Sequence, residues 1–142
     1  MSTLRPDFGT SIPGLVTLEG SFRVDGTSDP DDVRDGNTNA FTVARTSAGL
    51  FTITFKTRAL GGPQLPEKLI FEVCSIQTAI AATVEIEAKI VLDSYSAVTR
   101  SFQIQCKKPT NSSTTTLLVI DPADNDRIGF FLRGSILRIG RD

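Results

Sequence analysis

Apolar and polar residues alternate with a period of two along much of this chain. Val16, Leu18, Phe22 and Val24 share one parity, and Thr17, Glu19, Ser21 and Arg23 share the other. That alternation predicts a strand buried on one face. Gly20 inside it marks a bulge or a close backbone approach. Phe41 and Val43 alternate with Thr42, and Phe51, Ile53 and Phe55 alternate with Thr52 and Thr54. The short connector 46–49 makes these a hairpin, with Gly49 free to take a positive φ. Val84, Ile86, Ala88, Ile90 and Leu92 oppose Thr83, Glu85, Glu87 and Lys89, and Phe102, Ile104 and Cys106 alternate with Ser101, Gln103 and Gln105. With a turn at 93–96, these form a second hairpin. Residues 117–120, 128–132 and 136–139 read as short closing strands, the last two separated by Arg133, Gly134 and Ser135.

Other stretches break the alternation. Residues 69–76 are apolar on both parities, which predicts a strand covered on both faces or covered by a neighbouring subunit. Residues 78–82 fit a short helical turn or an extension of that strand. Residues 25–40 hold five Asp, one Arg and two Asp-Gly pairs, and read as a long polar loop. Leu60, Gly61, Gly62, Pro63 and Pro66 interrupt the chain again, and 107–116 reads as a polar tip. Residues 1–14, with Pro6, Gly9, Pro13 and Gly14, read as an extended N-terminal arm preceding a single domain over 15–142. About eight or nine short strands without a long helix predict an all-β, single-domain antiparallel β-sandwich, jelly roll or barrel.

Composition agrees. The chain has 142 residues, enough for one core without metal or disulfide staples. Nine Phe, no Trp and one Tyr accompany abundant Thr and Ser, and a net charge of −1 gives no general attraction to nucleic acid or an anionic membrane. No apolar run approaches the ~18 residues that span a bilayer. The first residues lack an apolar core of the signal-peptide kind, so we expect synthesis and folding in a cytoplasm. Cys74 and Cys106 each fall in a strand-like run. Buried free thiols are expected, with a disulfide between adjacent strands as the alternative.

The candidate chemistry is sparse. The chain contains no His, which removes the commonest general base and every Ser-His arrangement. No phosphate loop or dinucleotide fingerprint occurs. Glu85 and Glu87 share a strand face, but Lys89 follows in the same row, so a solvated polar face outweighs an acid–base pair. Asp29 and Asp31 have calcium-loop spacing, yet Val33 holds the next ligand position and the downstream Glu is missing. A solvated loop is the stronger reading. Lys107-Lys108 is one small basic patch and Arg133, Arg138 and Arg141 a loose second one; Phe130 and Phe131 lie near the second, but Phe at the start of a strand is more often core than a stacking platform. We therefore expect no catalytic residue, no cofactor, no metal, no nucleic-acid partner and no membrane partner.

Residues 20–55 carry a resemblance. A strand through Phe22 and Val24 runs into Asp25-Gly26-Thr27-Ser28-Asp29-Pro30. Val33 and Gly36 follow, then Phe41-Thr42-Val43-Ala44-Arg45-Thr46, Gly49 and Phe51-Thr52-Ile53-Thr54-Phe55. This resembles small all-β virion proteins of tailed bacteriophages. The resemblance implies a capsid cement or decoration protein at the capsid surface. Such a protein bridges major capsid protein subunits, often as a homotrimer, without catalysis. The arm 1–14, the segment 25–40 and the basic C-terminus would be its contacts. The alternative is a head-spike or tail-associated module touching the host cell surface. The absence of Trp and the single Tyr95 weigh against a sugar-binding platform.

Overall fold

A computed structural model describes residues 14–35, 40–78, 86–109 and 117–135. Nine strands occur there: β1 (Leu15–Arg23), β2 (Asp31–Asp35), β3 (Phe41–Ser47), β4 (Leu50–Phe55), β5 (Lys68–Gln77), β6 (Glu87–Ile90), β7 (Ser101–Pro109), β8 (Leu117–Val119) and β9 (Arg127–Ser135). One turn of 3-10 helix, Arg58–Leu60, lies between β4 and β5. Every pairing is antiparallel. One sheet has the order β2-β1-β9-β5, and the other runs β3-β4-β7-β6 with β8 also on β7. The fold is a β-sandwich, one of the three architectures the strand pattern allowed.

Alternation builds the core. Leu18 and Phe22 of β1 and Ile128, Phe130 and Leu132 of β9 point inward from the four-stranded sheet. Phe41, Val43, Phe51, Ile53, Phe55, Phe102, Ile104 and Cys106 meet them from the other sheet. The Phe130 ring lies 5.0 Å from Phe102 and 5.1 Å from Phe41, both edge-on, so one side chain of β9 engages two strands of the facing sheet. Gly20 resolves as a close approach: a Cβ there would stand 2.4 Å from the Phe41 ring. Gly49 turns the β3–β4 hairpin at φ 70, as expected.

Two arginines tie the connections to the sheets. Arg45 of β3 pairs with Asp121, just after β8, at 2.8 Å, and Asp121 Oδ1 also accepts the Gly49 N–H at 2.8 Å. Both side chains are about one-fifth exposed (20% and 19%). The guanidinium beside it holds the Asp121 carboxyl below its ordinary range. Arg100 donates to the carbonyls of Lys56 and Pro63 and so pins the β4–β5 connection against the turn before β7.

The structure corrects several expectations. The segment 25–40 is not a continuous loop: β2 pairs with β1 through Gly20–Asp35 and Ser21–Arg34, then shifts register before Arg23–Asp31. Its Asp-rich sequence disfavours strand on propensity, and ion pairs to neighbouring strands override that. β7 continues through Lys107 and Lys108 to Pro109, so the polar tip begins later than the pattern suggested. β9 runs unbroken through Arg133 and Gly134 to Ser135. Gly134 does not end the strand: a Cβ there would stand 2.4 Å from the Lys68 carbonyl oxygen, so glycine lets β5 and Pro66 pack close. The two cysteines lie on different sheets as free thiols, Cys74 on β5 and Cys106 on β7, so the alternative of an adjacent-strand disulfide is set aside. The second hairpin forms as expected, with Ala88 opposite Cys106 and Ile90 opposite Ile104. The expected arm except Gly14, the turn at 79–82, residues 83–85 and the strand 136–139 lie outside the described residues.

Candidate protein interface on the four-stranded sheet

The outward face of the four-stranded sheet is laid out in rows by strand register. Thr17, Arg133 and Phe71 form one row, and Glu19, Phe131 and Val73 the next. Ser21, Gly129 and Ser75 follow, then Arg23, Arg127 and Gln77. The third row has no bulky side chain, so a trough of about 460 Å³ crosses the sheet, with Arg34 and Phe131 among its lining.

The two sides of this trough differ in chemistry. Toward β2, charges are consumed in pairs. Arg23 grips Asp31 with two hydrogen bonds of 2.9 and 2.7 Å. Asp32 receives Arg34 at 2.7 Å and also the Arg127 guanidinium, which donates to Ser21 Oγ at 2.8 Å. Hydrogen bonds from Arg23 and Arg34 hold the Asp31 and Asp32 carboxyls below their ordinary range. Asp31 is thus committed to Arg23, and Asp29 accepts the Arg45 backbone N–H at 2.9 Å. The candidate calcium ligands have protein partners instead, and Val33 packs partly buried against the core. Among the described residues no group of three or more His, Cys, Asp or Glu stands together to hold a metal.

Toward β5, the face is apolar. Phe71 is 53% exposed, Val73 46% and Ile70 68%. The Phe71 ring leans edge-on against Phe131 at 6.2 Å, and the Arg133 guanidinium lies 5.4 Å over that same ring. Residues 69–76 therefore keep only one apolar face inside the chain: Leu69, Cys74 and Ile76 pack on the core, while Ile70, Phe71 and Val73 face outward. Among the described residues, coverage on both faces is not achieved. β5 is also the last strand of its sheet, and its register on β9 slips between Leu69 and Phe71.

The other sheet presents a different outward surface. Thr42 lies opposite Thr54, Ala44 opposite Thr52, and Thr52 opposite Gln103. Thr52 Oγ1 meets Thr46 Oγ1 at 2.6 Å and accepts from Gln103 at 3.3 Å. This face is polar and largely uncharged. Glu87 sits across from Lys107 and 3.8 Å from Lys89, and Glu85 is outside the described residues. Lys107 and Lys108 belong to β7, Arg133 belongs to the apolar face just described, and Arg138 and Arg141 lie outside the described residues.

Burial pushes the Cys74 thiol up to about 11 and the Cys106 thiol up to about 12, so both stay protonated and poorly nucleophilic near neutral pH. Sequence reasoning noted the doubly apolar β5 segment but assigned no residues to it as a contact. The signal was present in Ile70, Phe71 and Val73. What was missing was the knowledge that β5 ends its sheet. Comparison with protein-family models, curated proteins and solved structures finds no match to this chain.

Proposed function

We propose that this chain is a non-catalytic cement or decoration protein of a tailed-phage head, working by burial of surface between subunits. The supporting observation is the apolar strip Ile70, Phe71 and Val73 on an edge strand, on the same face as the paired Arg23–Asp31 and Arg34–Asp32 charges toward β2. Large apolar side chains grouped at a sheet edge mark a contact surface or an aggregation hazard. The phage-protein resemblance of residues 20–55 supplies the setting; they form β2, β3, β4 and the end of β1.

Magnitudes favour an assembly over a single contact. At about 150–250 Å² per side chain, the exposed parts of the three residues amount to on the order of 300 Å². At ~25 cal/mol/Å² their burial is worth roughly 7 kcal/mol before costs. Association itself costs an estimated 4–15 kcal/mol, so one strip is marginal alone and effective when symmetry links several. The test is binding of the purified chain to undecorated shells of major capsid protein. Saturable co-sedimentation, with a higher shell disruption temperature, is the expected result. Absence of binding at every soluble concentration overturns the proposal.

A further inference from the structure

Beside the apolar strip, the start of β5 and the turn after β6 enclose a groove of about 400 Å³. Its two walls are tied together. Tyr95, in that turn, packs against the core and donates its hydroxyl to the Pro66 carbonyl at 2.5 Å, which joins the turn to the entry of β5. Ser94 Oγ accepts the Gln103 N–H at 3.0 Å and anchors the same turn to β7. The groove is built before any partner arrives, so docking there carries little ordering cost on this side.

β5 supplies the apolar part. Its register on β9 slips between Leu69 and Phe71, which leaves Ile70 without a partner on β9. A bulge of this kind re-aims a side chain, and Ile70 lines the groove together with Leu69 and Phe71. The charged part is one-sided. Glu67, Glu72 and Asp93 line the groove with a single cation, Lys68, so three carboxylates meet one ammonium. All four side chains belong to exposed residues. No salt bridge among the described residues engages Glu72 or Asp93.

Exposed apolar side chains and unpaired carboxylates in one groove call for an occupant that carries both complements. A Lys or Arg lays its stem on apolar surface and keeps its charged head at a carboxylate. Nucleic acid and anionic membranes are repelled by the same charge. A second copy is a poor source of the cation, because among the described residues Arg23, Arg34, Arg45 and Arg127 are already paired with aspartates. We propose that this groove docks a segment of a different protein in which a Lys or Arg stands beside an apolar residue. The cation meets Glu72 and Asp93, and the apolar side chain packs on Ile70 and Phe71. Identification of that protein as a shell subunit rests on the cement reading above; the chemistry of the segment rests on the groove.

The test is fluorescence anisotropy of a short labelled peptide of alternating Lys and Leu, titrated with the full chain, against a counterpart with Glu in place of Lys. Saturable binding of the Lys peptide alone is expected, weakening as salt is raised. Glu72→Lys and Asp93→Lys should each weaken it about tenfold or more. Glu87→Lys makes the same charge change on the other sheet and should leave it unchanged. Circular dichroism confirms that each variant is folded. No saturable binding overturns the inference, as does an equal loss with Glu87→Lys, which would reduce the effect to overall charge. Light-scattering mass adds a further arm: self-association abolished by Glu72→Lys would put a second copy in the groove and overturn the inference as well. Shell binding is scored in parallel. A chain that binds the Lys peptide but ignores shells sinks only the cement reading, whereas shell binding indifferent to Glu72→Lys and Asp93→Lys sinks only this inference.

Discussion

Replacing Phe130 and Phe131 separately by leucine tests the sandwich through two adjacent residues of β9. Phe130 is 5% exposed, and its ring meets Phe41 at 5.1 Å, Phe102 at 5.0 Å and Phe55 at 6.3 Å. Each aromatic pair contributes about 0.5–1.5 kcal/mol beyond buried area, so losing three removes roughly 1.5–4.5 kcal/mol. Leucine refills part of the space, and a net loss of ~2–4 kcal/mol is expected for Phe130→Leu. Phe131 points outward and meets one ring, Phe71, and the Arg133 guanidinium. Phe131→Leu should cost no more than ~1.5 kcal/mol. The assay is urea unfolding followed by far-ultraviolet circular dichroism, since the chain has no Trp and one Tyr. Midpoints should separate while m stays constant, because both variants expose similar area on unfolding. Equal destabilisation by the two substitutions would refute the assignment of their faces.

Two further predictions concern titration. Asp121 has a depressed folded carboxyl value, so its contribution is present above its ordinary 3.8 and is lost as pH falls through the lower folded value. Asp121→Asn should remove that part of the acid dependence, read as a smaller drop in melting temperature between neutral and strongly acidic buffer. The thiols behave in the opposite sense: their raised values give a contribution present below the ordinary 9.0 and lost as pH rises toward 11 and 12. An aromatic disulfide reagent at neutral pH should label both cysteines promptly in denaturant and Cys106 only slowly in the folded chain; fast labelling of native Cys106 would contradict its burial.

The two hairpins were legible because alternation held on both strands of each, reinforced at Phe41–Phe55 by a short connector with a glycine turn. β2 was not legible. Asp-Asp-Val-Arg-Asp has no apolar alternation, and its strand is secured by Arg23 and Arg127 from β1 and β9, contacts separated by 8 and 95 residues. Nor did Gly134 announce its purpose: as a sequence it reads as a break, and only the Lys68 carbonyl beside it explains a glycine inside a strand. Local pattern registers what a residue prefers, while strand neighbours decide what it faces.

That distinction bears most on β5. Its apolar residues on both parities predicted cover on two faces, and among the described residues the sandwich supplies cover on one. β6 of the other sheet lies alongside β5 without pairing with it, and the apolar residues of the outer face stay open. The outer face carries Phe71 and Val73, and between them Glu72, opposite Leu132 in register, is itself exposed. A partner surface that covers the strip has to meet that carboxylate with a cation or leave it in water. The assembly proposed above would supply such a surface, and the carboxylate would then discriminate between partners.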